Sequence, residues 1–333
     1  MAEFISNAPI IVVCLALVLG FVLLIKGADF FVEGSSSVAK RFHVPALIIG
    51  LTIVAMGTSL PETAVSVTAS LIGNNELAVS NVVGSNIFNL MVVIGVCSLL
   101  ANIPVDSETI YRDIPFSALC AVLLMGLGAC ALGDGNSMIL GRYDGIILLA
   151  FFAIYIGALI RRTLKAAKEG KEVDVEGGSD EEIKLLSVPV SLLCIVGGAA
   201  SIAIGGDMTV DAASRIAADL GMSQTLIGLT IVSIGTSLPE LVTSIVAARK
   251  NEIGMALGNA IGSNVFNILM VLGIDSVISP ITFLRENLID IVVLLAFTLI
   301  VWLFAFIKKN ISKLEGGIML LLYACYAVYI FLR

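Results

Sequence analysis

Charge is scarce in this chain. Charged side chains make up 14% of its 333 residues and hydrophobic ones 58%, with a mean hydropathy of +1.05, whereas soluble domains carry roughly 25% charge. That excludes an ordinary soluble domain, and the chain reads as an integral membrane protein. The 19 basic residues are outnumbered by 26 acidic ones, for a net charge of −7, and form no stripe, which argues against a nucleic-acid partner. Histidine occurs once, as His43 beside a proline at a predicted span entrance, and reads as a loop residue. With no second histidine and no GxGD pair, a serine hydrolase lacks its base and an aspartyl protease its acids, so no enzyme is expected. The six cysteines, Cys14, Cys97, Cys120, Cys130, Cys194 and Cys325, lie within apolar runs without a CxxC spacing and read as packing residues. The opening MAEFISNAP has no basic residue, so the first apolar run is expected to be a retained span.

What is abundant is apolar sequence in lengths that cross a bilayer, about 20 residues per helix. Ten such runs are expected, near 8–30, 44–72, 76–101, 113–133, 143–161, 186–208, 221–248, 252–274, 286–307 and 314–332. With the N-terminus outside, 14 basic residues fall in inside loops, among them Lys40, Arg41, Arg112, Arg161, Arg162, Arg249 and Lys250. Only Arg142, Arg215, Arg285 and Arg333 fall outside. The positive-inside rule then puts both termini outside, in what is expected to be a prokaryotic inner membrane. The polar run KEGKEVDVEGGSDEEIK at 168–184 has no apolar period and reads as a solvated linker. It divides the chain into a five-span half at 1–162, a cytoplasmic linker at 163–185 and a second five-span half at 186–333.

The halves are related. Adding 178 to a residue number takes IGLTIVAMGTSLPET at 49–63 to IGLTIVSIGTSLPEL at 227–241, with 12 identities in 15 positions. The same offset takes NVVGSNIFN at 81–89 to NAIGSNVFN at 259–267, and Gly27 and Asp29 to Gly205 and Asp207. One constant offset through two spans and a turn is an internal repeat, and five spans per copy make it an inverted one. The expected fold is an all-α polytopic membrane protein of ten transmembrane helices in two inverted five-helix repeats.

Each copy of GTSLPE puts a helix breaker and an acid inside an apolar run. Pro61 and Pro239 remove a backbone donor and release upstream carbonyls, and Gly57 and Gly235 loosen the same turn. Freed carbonyls in hydrocarbon need a polar partner, which a cation supplies. Glu62 and Glu240 are sharper signals, since an ionised carboxylate at mid-bilayer costs at least about 2.5–3.5 kcal/mol. Two of them match one divalent ion. Thr58, Ser59, Thr236, Ser237, Ser85, Ser263, Asn89 and Asn267 add oxygens, and hard cations such as Ca2+ take 6–8. Asp29, Glu33, Asp207 and Asp211 lie near expected span ends and read as interfacial charges, with Lys26 able to snorkel or to pair with Asp29.

The paired GTSLPE segments, each followed by GSNxFN, resemble the two alpha-repeats of the cation/calcium exchanger superfamily over essentially the whole chain. The length and short linker are similar to those of compact prokaryotic sodium/calcium antiporters. The resemblance implies that Glu62 and Glu240 bind Ca2+ and Na+. It further implies that Thr58, Ser59, Thr236 and Ser237 lend side-chain or backbone oxygens, that Ala55 and Ser233 lend carbonyls, and that Ser85, Asn89 and Ser263 coordinate as well. Asn267 departs from the pattern, because many sodium/calcium exchangers have an aspartate there. With two carboxylates, two Na+ per Ca2+ leave the site neutral and three leave it at +1, so a lowered net charge per cycle is expected. No cofactor is expected beyond the transported ions, and no partner beyond the bilayer. A Ca2+/H+ antiporter on the same fold is the alternative, although the calcium/proton branch resembles GNxxE around its acid. A passive channel fits inverted repeats less well than alternating access does.

Overall fold

The structure is a computed structural model that describes residues 5, 8–71, 78–130, 138–169, 185–222 and 233–332. Among these, eight helices are long and apolar enough to span a membrane. They are α1 (Ile10–Arg41), α4 (Ala78–Leu100), α5 (Thr109–Ala129), α6 (Arg142–Ala166), α7 (Val188–Asp219), α10 (Ile253–Ile278), α11 (Arg285–Lys308) and α12 (Lys313–Ile330). The two segments that carry GTSLPE are interrupted. The first is α2 (Ala46–Thr58) and α3 (Leu60–Leu71), and the second is α8 (Ser233–Thr236) and α9 (Leu238–Arg249). Most of the linker and residues 223–232 of the seventh expected span lie outside the described residues.

Two span ends differ most from the sequence reading, and the helix of the fifth span also runs on to Glu169, past the expected linker start at 163. Helix α1 runs to Arg41 rather than 30, and α7 to Asp219 rather than 208. At 32 residues each, they are about 48 Å long against a hydrocarbon core of about 30 Å. Asp29 is therefore not at a helix end. It lies inside α1, where Lys26 Nζ is 3.6 Å and Lys250 Nζ 3.7 Å from its carboxylate. Lys250 also donates to the Asp29 carbonyl at 3.0 Å. Asp29 interrupts the apolar run in sequence without ending the helix, because Lys26 and Lys250 stand beside its carboxylate.

Helices α1 and α7 pack antiparallel on small residues. A Cβ on Gly20 would meet Thr209 Oγ1 at 2.6 Å, one on Gly27 would meet Ser201 Cβ at 2.8 Å, and one on Gly34 would meet the Ser191 carbonyl at 2.7 Å. Such contacts drive helix association where the solvent is as apolar as the side chains. Each long helix ends in a left-handed residue, His43 (φ 52°) after α1 and Gly221 (φ 89°) after α7. There Val44 N–H reaches the Ala39 carbonyl at 2.8 Å, and Met222 N–H the Ala217 carbonyl at 3.0 Å. This closure is a Schellman motif, so His43 acts through its backbone.

The core is built around α10 and α4. Gly254, Gly258 and Gly262 repeat every four residues on α10 and bring it against α2. There a Cβ on Gly258 would sit 2.3 Å from the Leu47 carbonyl, and one on Gly262 2.8 Å from Ala55 Cβ. Large apolar side chains of α1, α5, α6, α7, α11 and α12, such as Leu15, Leu119, Ile154, Leu193, Val292 and Leu321, are exposed, as lipid-facing residues are.

Two short ladders tie the halves together. Strand β1 (Ile103–Pro104), between α4 and α5, pairs antiparallel with β4 (Asn310–Ile311), between α11 and α12, with Ile103 opposite Ile311. Strand β2 (Ile139–Leu140), between α5 and α6, pairs with β3 (Ile281–Thr282), between α10 and α11, with Leu140 opposite Ile281. Ile103 and Ile281 are 178 residues apart, so one ladder is the repeat image of the other. Near β1, Arg162 bridges Asp113 (2.8 Å) and Glu108 (2.9 Å). Partial burial of Glu108 favours its protonated form, but hydrogen bonds from Arg162 and Arg112 outweigh that and hold its carboxyl below the usual range.

Candidate ion-binding site

The breaks come at Ser59 and Ser237, whose backbones (φ −85°, ψ 2° and φ −94°, ψ 3°) leave the helical region. Pro61 and Pro239 follow in the first turns of α3 and α9. They bring no N–H for the carbonyls four residues back, those of Gly57 and Gly235. The glycines have a packing reason as well. A Cβ on Gly57 would lie 2.5 Å from Phe31 Cζ of α1, and one on Gly235 2.2 Å from Val210 Cγ2 of α7. Glu62 and Glu240 then occupy the first turns of α3 and α9, where the helix dipole favours negative charge.

The two acids are 2% and 0% exposed, and their carboxyl groups are neighbours. Among the described residues, neither forms an ion pair. Ser59 Oγ donates to Glu240 Oε1 at 3.3 Å across the two halves. Thr58 Oγ1 lies 3.1 Å from Asn259 Oδ1 and 3.5 Å from Ser263 Oγ, and also 3.1 and 3.3 Å from the carbonyls of Val54 and Ala55. The Ala55 carbonyl accepts from Ser59 N–H at 3.0 Å, so part of its capacity is spent within the helix. Asn259 in turn donates to the Glu240 carbonyl at 3.3 Å and to Ser244 Oγ at 2.9 Å.

Below the acids, α4 and α10 cross at a four-asparagine knot that obeys the repeat. Asn86 Nδ2 donates to the Asn264 carbonyl and Asn264 Nδ2 to the Asn86 carbonyl, both at 3.1 Å. Asn89 Nδ2 donates to Asn264 Oδ1 and Asn267 Nδ2 to Asn86 Oδ1, both at 3.2 Å. A backbone carbonyl can only accept, so it fixes the amide of Asn86 or Asn264, whose Oδ1 must then accept in turn. Asn89 and Asn267 therefore spend their N–H groups on the knot and keep Oδ1 free. A π-helical turn begins at each of these two residues, Asn89–Val93 and Asn267–Val271, a distortion common at functional sites.

The result is a set of buried oxygens with nothing to bond. Both carboxylate oxygens of Glu62, Oε2 of Glu240, the hydroxyls of Ser85 and Ser237, and Oδ1 of Asn89 and Asn267 have no hydrogen-bond partner. An unsatisfied buried acceptor is expensive, and all of these belong to residues expected from the sequence to hold cations. Thr236 is half-buried beside Ser237, and of Ser233 only the helical backbone is described. No three His, Cys, Asp or Glu side chains cluster among the described residues. Two carboxylates backed by hydroxyls and amides are thus what the site offers, a donor set for hard cations. Sequence reading missed Asn86, Asn264, Asn259 and Ser244. The first three stand inside the quoted motifs, and amides three residues apart in an apolar span were the available signal.

The family model described as sodium/calcium exchanger protein matches residues 12–161 and 190–332. The chain belongs to the sodium/calcium exchanger family. It is 37% identical to the putative antiporter CaxA of Alkalimonas amylolytica over 330 residues, covering 96% of this chain and 99% of that one. To the sodium/calcium exchanger MaX1 of Methanosarcina acetivorans it is 33% identical over 351 residues, covering 95% and 98%. A solved structure of the sodium-calcium exchanger NCX_Mj, soaked with Na+ and Sr2+, superposes with a TM-score of 0.78 at 33% identity, covering 95% of this chain and 98% of that one. These exchanger relatives agree with a transport role rather than an enzymatic one, and with a chain of membrane helices.

Proposed function

We propose that the chain is a secondary antiporter that exchanges Ca2+ for Na+ by alternating access, with the ions held between Glu62 and Glu240. The observation that carries this reading is the set of orphaned buried oxygens on Glu62, Glu240, Ser85, Ser237, Asn89 and Asn267. Two carboxylates balance one Ca2+ or two Na+ in the same cage, so each ion excludes the other, as exchange requires. Thr58, Ser59, Thr236 and Ser263 complete the cage with hydroxyls, and Ala55 and Ser233 with carbonyls. Coupling to Na+ rather than H+ is favoured by these neutral oxygens, which a proton would leave unsatisfied.

The proposed architecture is ten crossings in two inverted halves, 1–162 and 186–333, joined by the linker 163–185. Its support is the strand pairing. Loops β1 and β4 can meet only if they emerge on one membrane face, and β2 and β3 only if they share the other. An odd number of crossings per half meets both conditions. The charge bias puts β1 and β4 in the cytoplasm and both termini outside. Because α1 and α7 pack chiefly on each other through glycines, they can move as a pair against the core.

The test is uptake of labelled Ca2+ into proteoliposomes with Na+ inside and choline outside. Uptake should vanish when Na+ is on both sides, and in Glu62→Gln and Glu240→Gln. Uptake that survives both variants refutes the site, and uptake that needs a pH gradient instead of Na+ selects the proton-coupled alternative.

A further inference from the structure

Outside the two-glutamate site, and among the described residues, one buried acid has both carboxylate oxygens unpartnered. Asp275 lies on α10 eight residues beyond Asn267, about 12 Å along the helix. It is fully buried, and neither carboxylate oxygen has a hydrogen-bond partner. Facing it is α3, on which Glu62, Ser66 and Ser70 recur every four residues, share one face and are all buried. The Ser66 and Ser70 hydroxyls face the Asp275 carboxylate without closing a hydrogen bond of normal geometry. Ser70 Oγ is itself unpartnered. Asp275 makes no ion pair among the described residues, and a charge at such a position in a span marks an ion pathway by default.

The repeat sharpens the point. The offset of 178 takes Asp275 back to Cys97 and Ser70 forward to Ala248, both buried. There the acid and the outer serine give way to an apolar pair, while the counterpart of Ser66, Ser244, keeps a hydroxyl that accepts from Asn259 at 2.9 Å, so packing alone does not call for an acid. The cluster stands only on the side of the glutamates that leads to β2 and β3, since Asp275 is six residues before Ile281.

We propose that Asp275, Ser66 and Ser70 form a further cation site, for Na+, between the glutamate cage and the β2–β3 face. One carboxylate neutralises one monovalent charge, whereas a divalent ion would keep a net charge in apolar surroundings and would lack the 6–8 oxygens Ca2+ takes. The assignment rests on the exchange reading above and changes its arithmetic. A third carboxylate lets one more Na+ bind than the two glutamates balance, restoring the charge lost with Asn267. It also makes the pathway chemically unequal on its two sides, so Na+ can wait on only one of them.

Binding is tested first, on purified protein in detergent, by the shift in thermal midpoint when Na+ replaces choline. Na+ should still stabilise the Glu62→Gln/Glu240→Gln double variant, and adding Asp275→Asn should abolish that shift. No Na+ shift in the double variant, or a shift that survives Asp275→Asn, overturns the site. In proteoliposomes, Asp275→Asn alone should lower the Na+ to Ca2+ coupling ratio by about one Na+ while Ca2+/Ca2+ exchange continues; an unchanged ratio overturns the proposal. If Asp275→Asn does not fold, Ser66→Ala/Ser70→Ala, which removes both hydroxyl ligands, should weaken apparent Na+ affinity by roughly tenfold or more, about 1.4 kcal/mol per tenfold, and unchanged affinity overturns the site. Absence of Ca2+ exchange in the wild type would instead sink the antiporter reading, and the Na+ shift of the double variant would still decide the site.

Discussion

The asparagine knot makes a quantitative prediction because its bonds divide evenly. Asn86→Ala removes the bond to the Asn264 carbonyl and the bond from Asn267 Nδ2. Asn264→Ala removes the bond to the Asn86 carbonyl and the bond from Asn89 Nδ2. No bond is shared, so each variant loses two. Interhelical hydrogen bonds in membranes average about 0.6 kcal/mol and reach about 1.7. The amide left without an acceptor adds about 1–3 kcal/mol. Each substitution should therefore cost roughly 2–4 kcal/mol, and the double variant more than either, although the two sites share one hydrogen-bond network and their losses need not sum. At roughly 2–3 °C per kcal/mol for a chain of this size class, the thermal midpoint in detergent should fall by roughly 4–12 °C for either single variant. Ca2+ affinity should fall with it, because Asn267 or Asn89 loses the bond that fixes its amide and keeps its Oδ1 free. The pair distinguishes this reasoning from generic damage. One neutral variant beside one severe variant, or a double variant no worse than a single, would refute the symmetric knot.

Two further predictions concern packing and a helix end. Gly258→Ala places a methyl 2.3 Å from the Leu47 carbonyl, a backbone atom that cannot rotate away. It should cost about 1–3 kcal/mol by overpacking and reduce Ca2+ uptake by separating α2 from α10, whereas Gly317→Ala, with open space at the Cβ, should leave both the melting curve and uptake unchanged. His43→Gly relieves a left-handed backbone at a helix end and should raise stability by roughly 1 kcal/mol; a fall in the thermal midpoint would mean that the imidazole has a role beyond its backbone.

Much of the candidate site was legible because the sequence repeats itself. GTSLPE and GSNxFN mark where helices break, and a carboxylate inside an apolar run needs a reason wherever it lies. The span ends were less legible at α1 and α7. Lys26, Asp29 and Glu33 interrupt the apolar run of α1, but helix formation needs only that backbone groups pair and charges find partners, and Lys250 is a partner that no local window contains. The asparagines were visible as letters but not as a knot, because an amide's orientation depends on what lies across the helix crossing.

Composition and periodicity alone determined that the chain is a helical membrane protein with two related halves, because transfer into lipid is a property of each segment's own side chains. The repeat further marked the acids on which exchange would turn. Only the tertiary structure decided which oxygens are left unbonded, why Asn89 and Asn267 present oxygen rather than N–H, and that Asp275 faces Ser66 and Ser70. Those facts depend on contacts between residues up to about two hundred positions apart, and such contacts are fixed by how closely glycine-faced helices pack rather than by any local preference.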